Sequence, residues 1–264
     1  MQQGCTTHNM LSANQQKFIA SLSVKKYRQK YRKFVVEGDK IAIELLQQPQ
    51  IVVDSIFATE RWATQNPDLL RPYLDNFNLV HEIELKKISN LTTPNQVLIV
   101  ANMPEKQLDP REIRPDFCFF ADGIQDPGNL GAILRIADWF GFPALFCAPD
   151  TVDVYSPKVI QASMGAFLRV ATAELELADL CAALPEWPVL GAVLGGESVF
   201  KIDLPQLGIL VVGREGRGLS PEAEALLHHR LTIPKHPQGG AESLNAGVAA
   251  GILAAVIRDR QMIG

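Results

Sequence analysis

The run Phe117-Cys118-Phe119-Phe120-Ala121, followed by Asp126-Pro127-Gly128-Asn129-Leu130-Gly131-Ala132-Ile133-Leu134-Arg135, decides how this chain folds. A continuous apolar run bounded by turn residues reads as a strand buried on both faces, the kind found in parallel sheets. Gly123 and Gly128 allow a tight path after it. Asn129 then reads as the N-cap of a helix, Asn129 to Phe140, that carries Arg135. Two later stretches repeat this change from strand to glycine- or asparagine-bearing turn to helix: Val212-Gly213-Arg214-Glu215-Gly216-Arg217-Gly218-Leu219, and Ile233-Pro234 followed by Glu242-Ser243-Leu244-Asn245. In an open α/β sheet, ligand sites form where such turns converge beyond the carboxyl ends of the strands.

Outward from these turns, residues 116–264 alternate regularly. Strands are expected at Phe117–Ala121, Ala144–Cys147, Leu168–Ala171, Val189–Val193, Gly208–Val212 and Arg230–Ile233. Helices are expected at Asn129–Phe140, Ser156–Ser163, Leu177–Leu184, Pro221–Leu227 and Ser243–Arg258. Apolar strands joined by helices imply a mostly parallel, doubly wound α/β sheet covered on both faces. Ahead of it, residues 15–101 read as a smaller α/β unit with strands at Lys33–Val36, Ile51–Ala58, Asn78–Val80 and Gln96–Ala101. Helical segments are expected there at Gly38–Gln47, Pro67–Tyr73 and Glu84–Asn90. Residues 102–115 hold three prolines among alternating charges and read as a linker, and residues 1–14 read as a flexible tail.

With 264 residues and 47% hydrophobic content, the chain has material for two packed cores. No run approaches the roughly 18 apolar residues of a membrane span, and the polar opening lacks the pattern of a signal peptide, so a cytoplasmic protein is expected. Cys5, Cys118, Cys147 and Cys181 are too scattered for metal-ligand spacing, so reduced thiols and no metal are expected. A net charge of −4 excludes bulk coating of nucleic acid but leaves room for a local basic patch. Lys25-Lys26-Tyr27-Arg28-Gln29-Lys30-Tyr31-Arg32-Lys33 supplies one. Lys25, Lys26, Arg28, Lys30, Arg32 and Lys33 are candidate phosphate ligands and the tyrosines candidate stacking platforms; a solvated loop is the plainer reading.

Taken singly, each turn has a structural explanation: a capped helix with a surface salt bridge for Asn129 and Arg135, a strand-to-helix loop for Gly213–Gly218, and close helix packing for Ala246–Gly251. In order and spacing, however, the three resemble the motifs of the SpoU/TrmH family, RNA 2′-O-ribose methyltransferases of the SPOUT class. The resemblance implies a trefoil-knotted sheet, a homodimer with the site built between two chains, and S-adenosylmethionine as cofactor. It also implies roles. Asn129 and Arg135 would belong to the active site, with Arg135 positioning the ribose 2′-hydroxyl and stabilising its developing charge, since a guanidinium is a poor proton acceptor. Glu215 would order the site and Ser243 and Asn245 would complete it. Gly213, Ile233 and Leu244 would line the cofactor pocket, with Leu194 and Gly195 beside them.

The connection from Pro234 to Ala241 is longer than the family's usual version, and His236 within it is given no catalytic role. His228 and His229 read as satisfying local structure. The basic run with Phe34–Gly38 resembles the ribosomal-protein-like RNA-binding domain that many family members carry, which implies ribosomal RNA as substrate, with transfer RNA second. Rival readings are an RNA-binding protein of this fold without catalysis, and an ordinary Rossmann enzyme. The absence of a Gly-x-Gly-x-x-Gly turn after the first strand argues against the latter.

Overall fold

The structure, a computed structural model, describes residues 11–105 and 108–263. The polar opening through Met10 with Cys5, Lys106 and Gln107 of the expected linker, and Gly264 lie outside the described residues. Contacts divide the chain into two compact units, Met1–Glu105 with Tyr155–Gln161, and Lys106–Val154 with Ala162–Gly264.

The first unit begins earlier than a tail ending at Asn14 would allow. Leu11 is buried and Ser12 caps helix α1 (Ala13–Ser21) in a reciprocal box with Gln15, a pattern that fixes a helix start. The basic run is a helix, α2 (Lys25–Tyr31), closed by Arg32 in the left-handed conformation. Then follow β1 (Lys33–Glu37), α3 (Asp39–Leu46), β2 (Val53–Ala58), α4 (Glu60–Gln65), α5 (Pro67–Leu70), a 3-10 segment (Arg71–Asn76), β3 (Phe77–Leu79), α6 (Glu82–Ile88) and β4 (Val97–Asn102). Helix α4 was not legible, although Thr59 caps it. The strands form one mixed sheet in the order β1-β4-β2-β3, antiparallel except between β2 and β3. Ile19, Leu22, Leu85 and Ile88 from α1, its C-terminal turn and α6 cover Val35, Phe57, Leu98 and Val100 on one face.

The second unit contains β5 (Phe117–Ala121), α7 (Pro127–Phe140), β6 (Ala144–Cys147), α8 (Pro157–Ser163), whose first residues group with the first unit, β7 (Ala171–Glu174), α9 (Leu177–Ala183), β8 (Val189–Ser198), β9 (Gly208–Val212), α10 (Pro221–Ala225), β10 (His229–Thr232) and α11 (Ala246–Ile263). A strand at Leu168–Ala171 is corrected. Gly165, in a left-handed conformation, starts a 3-10 turn over Ala166–Leu168, and pairing with β6 begins only at Ala171.

The sheet runs β10-β8-β9-β5-β6-β7 and every recorded pairing is parallel. Every residue of β5 and of β9 is buried, as the unbroken apolar runs require. Full burial of each phenylalanine of β5 contributes roughly 2 to 3 kcal/mol. The chain leaves β5 toward β6 on one side and returns through β8 and β9 on the other. The order therefore reverses beside β5, and a crevice opens beyond the carboxyl ends of β5 and β9.

The last helix is fastened to this sheet by an ion pair. Arg258 donates to both carboxylate oxygens of buried Asp116 at 2.9 and 3.2 Å and to the Phe140 carbonyl at 2.7 Å, with its guanidinium 5.0 Å from the Phe142 ring centre. Buried Cys118 and Cys147 lie in β5 and β6, and burial drives the Cys118 thiol pKa far above its ordinary value.

Candidate active site

The first turn is built by Asp126, not by Asn129. The Asp126 carboxylate accepts the Asn129 amide at 2.9 Å and Pro127 occupies the first helical position, which places Asn129 inside α7. Asn129 is thereby 7% exposed, with its side chain free to act across the crevice. At the third turn the cap is likewise displaced. Helix α11 starts at Ala246, and Asn245, not Ser243, accepts the Val248 amide at 3.1 Å.

These shifts bring three residues from the three turns into one hydrogen-bonded cluster. Asn129 donates through Nδ2 to Glu215 Oε1 at 3.0 Å. Asn245 donates through Nδ2 to Asn129 Oδ1 at 2.7 Å and to the same Glu215 oxygen at 2.5 Å. Glu215 thus accepts from both amides, and each amide is fixed in orientation by its other partner.

The Glu215 turn is itself braced. Arg214 and Gly218 exchange backbone hydrogen bonds of 3.0 Å, closing a tight loop. The Arg214 guanidinium donates to the Gly123 carbonyl at 3.2 Å and pairs with Asp150 beyond β6. Gly213 has a steric reason to be glycine, since a Cβ there would lie 2.3 Å from the Gly218 carbonyl oxygen. Ser220 starts α10 with its amide and hydroxyl on the buried Asp122 carboxylate at 2.5 and 3.1 Å.

Two cavities meet at Glu215. The larger, about 830 Å³, is lined by Leu194, Gly195, Gly213, Ile233, Ser243 and Leu244 among others, and includes Glu215 in its wall. Leu194 reaches it because β8 does not end at Val193. The register of β8 against β10 jumps between Gly191 and Glu197, so residues 192–196 bulge outward and leave Leu194 77% exposed. The smaller, about 470 Å³, is walled by Ile124, Gln125, Asp126, Asn129, Arg214, Glu215 and Arg217. His236 borders the larger cavity through the Pro234–Ala241 connection, where its Nδ1 accepts the Gln238 amide at 3.2 Å. His228 accepts the Val189 amide at 3.0 Å, a structural bond.

Arg135 is not brought to this place within one chain. It is exposed on α7, lines neither cavity and has no hydrogen bond or ion pair among the described residues. Six residues of α-helix put it about 9 Å along the axis from Asn129. Nearby on the same helix Trp139 is 84% exposed.

In the first unit the basic run splits. Arg28 is withdrawn from the phosphate-binding set, because its side chain is buried and donates to the Leu22 carbonyl at 2.8 Å. Lys33 is partly buried beside Asp54, and that burial pulls its pKa below the usual lysine value. Arg32 donates to the Pro104 carbonyl. Lys26 and Lys30 are exposed, and Lys25 is partly so. Lys30 lies 5.2 Å from the Tyr31 ring centre, and the Tyr27 and Tyr31 rings stack at 6.3 Å with an interplanar angle of 14°. Helical spacing, which a string of charges does not display, separates these faces.

Among the described residues no group of His, Cys, Asp and Glu is placed to hold a metal ion, and no helix is long and apolar enough to cross a membrane.

Residues 14–99 match the MRM3-like substrate binding domain. The chain is 30% identical to the 23S rRNA guanosine 2′-O-methyltransferase RlmP of Bacillus subtilis, over 88% of this chain and 91% of that one. A TrmH-family protein of Porphyromonas gingivalis superimposes with a TM-score of 0.83 at 38% identity, over 96% of this chain and 100% of the other. The SpoU methyltransferase AviRb of Streptomyces viridochromogenes, solved with AdoMet, gives 0.83 at 26% identity, over 96% and 99%. With residues 116–255 matching that family directly, the chain belongs to the SpoU rRNA methylase family.

Proposed function

We propose that this protein transfers a methyl group from S-adenosylmethionine to a ribose 2′-hydroxyl of ribosomal RNA. The observation that carries the reading is the Asn129–Glu215–Asn245 cluster, which ties all three turns together where the two cavities meet. A cleft of about 830 Å³, walled by apolar Leu194, Ile233 and Leu244 and by the small Gly195 and Gly213, fits a nucleoside-sized cofactor. When bound there, S-adenosylmethionine supplies a methyl group on a positively charged sulfur.

The chain's own residues do the rest. Ile233, Leu244 and Gly213 hold the adenosine, with Leu194 and Gly195 closing over it. Glu215 keeps both amides aimed, and Asn129, Asn245 and Ser243 orient the ribose edge that enters from the smaller cavity. Arg135 stabilises the hydroxyl's developing negative charge and comes from a second copy of the chain. Its exposed, unpartnered guanidinium and the exposed apolar side chains Trp139, Val248 and Met262 on α7 and α11 support a homodimer. The trefoil knot of the class is part of the same reading, as are metal-independent chemistry and a cytoplasmic location.

Residues 15–101 serve as the RNA-binding domain, residues 102–115 link it to the methyltransferase domain at 116–264, and Lys25, Lys26 and Lys30 present phosphate contacts beside the Tyr27–Tyr31 stack. The likeness to the 23S rRNA methyltransferase RlmP over most of the chain favours ribosomal over transfer RNA. The test is methyl transfer from labelled S-adenosylmethionine to ribosomal and transfer RNA from cells lacking the gene, with the product mapped as 2′-O-methylribose. Label in transfer RNA alone would move the substrate, and label on a base would refute the reaction.

A further inference from the structure

The turn that delivers Glu215 also delivers a second charged side chain, Arg217, whose charge nothing in the second unit's described residues answers. Arg217 lines both cavities. It sits between Gly216 and Gly218, both in the left-handed region (φ 73° and 70°), with open space where their Cβ atoms would be. The loop beneath it is closed by the Arg214–Gly218 backbone pair and braced by Arg214 on Gly123 and Asp150. The other charges of the smaller cavity are engaged. Arg214 is paired with Asp150, Asp126 accepts the Asn129 amide, and Glu215 accepts from Asn129 and Asn245. Arg217 is the cation of that cavity with no hydrogen bond or ion pair among the described residues.

We infer that Arg217 is a positioning residue that grips the phosphodiester of the nucleotide being methylated. This rests on the reading of the site as a ribose 2′-O-methyltransferase. A ribose 2′-hydroxyl never arrives alone, because the adjacent 3′ carbon carries a phosphodiester. A site that holds the hydroxyl near Asn129 must therefore place an anion close by. A guanidinium presented from this braced loop suits that anion, since its planar donors match phosphate oxygens in pairs. The contact carries no base information and fixes the register of the RNA strand at the reacting sugar.

The experiment compares wild type, Arg217→Ala and Arg217→Lys, using ribosomal RNA from cells lacking the gene and labelled S-adenosylmethionine. Because the side chain is exposed, melting temperatures should coincide. Arg217→Ala should raise the KM for RNA about tenfold or more, the scale of one charge-assisted hydrogen bond. It should lower the salt slope of RNA binding by about 0.7 to 0.9. Arg217→Lys should restore the salt slope and only part of the KM, and S-adenosylhomocysteine affinity should stay within about twofold in both variants, as binding apart from the RNA requires. Unchanged KM and salt slope in Arg217→Ala, with wild type active, would overturn this inference alone. So would a tenfold loss of S-adenosylhomocysteine affinity with RNA binding intact, since the cation would then serve the cofactor's carboxylate. A wild type that methylates no RNA would overturn the methyltransferase reading and this inference with it.

Discussion

Replacing Asn245 tests the cluster most directly, because its one side chain does two separable jobs. Oδ1 caps α11 by accepting the Val248 amide at 3.1 Å, and Nδ2 bonds both Asn129 and Glu215. Asn245→Ala loses the cap, about 1 kcal/mol. It also loses a hydrogen bond to a carboxylate, and because this side of the cluster faces solvent the low end of the usual range applies, about 1 to 1.5 kcal/mol. Together these predict destabilisation of about 2 kcal/mol, or a fall in Tm of roughly 4 to 8 °C for a unit of this size. Asn245→Asp keeps an oxygen to cap the helix and adds a favourable charge at its N-terminus, but turns a donor into a carboxylate against Glu215. Its isolated capping effect should be neutral or stabilising, so any loss reports on the cluster alone. Calorimetric melting and S-adenosylhomocysteine titration of both variants decide the matter. The expected result is that both lose cofactor affinity and methyl transfer while only Asn245→Ala loses the cap. An Asn245→Asp protein that melts and turns over like wild type would refute the claim that Glu215 and the two amides act as one cluster.

Other outcomes follow from single features. Arg135→Ala should leave folding stability within about 0.5 kcal/mol of wild type, as for an unpartnered surface side chain, yet cut methyl transfer about a hundredfold by removing a charge-stabilising donor; equal turnover would return Arg135 to the surface. Light scattering should give twice the chain mass, and Trp139→Glu should shift it toward the monomer if α7 lies in the interface. Lys26→Ala with Lys30→Ala should lower RNA affinity and its salt slope by about 0.7 to 0.9 per contact, whereas Arg28→Ala should leave the slope unchanged and lower the melting temperature, because its guanidinium is spent on the Leu22 carbonyl. Cys118 should resist thiol reagents at neutral pH until the protein unfolds, since burial holds its pKa far above the ordinary thiol value and the thiolate is the reactive form; labelling in the native state would contradict its burial.

Much of this arrangement was legible because the second unit obeys simple patterns. The strands Phe117–Ala121, Ala144–Cys147 and Gly208–Val212 fall at the expected residues, since continuous apolar runs ended by glycine, proline or aspartate leave little choice. Helix starts were less legible. Asp126 and Asn129 are both good caps, as are Ser243 and Asn245, and only the carbonyl and amide geometry selects between them. The outward loop of β8 had no local signal, because it arises from the register that β10 imposes from residues 229–232. In the first unit, charge composition hid a helix. Once Lys25–Tyr31 winds, Arg28 turns inward while Lys26 and Lys30 remain outside, a distinction that no count of basic residues contains.

The all-parallel order of the second sheet also dictates when it can form. Strand β5 meets β6 after one helix, but its other edge waits for β9, with Phe117 paired to Gly208. During synthesis, the apolar edge Phe117–Ala121 therefore stays unpaired until the chain has been extended through Val212, and α11 can close on Asp116 only when Arg258 has emerged. Pairings so distant in sequence fold slowly and expose sticky edges while they wait. The crevice that seats Glu215 beside Asn129 is thus among the last features to appear, and a chain stalled short of residue 208 is an aggregation hazard with an open, hydrophobic half-sheet.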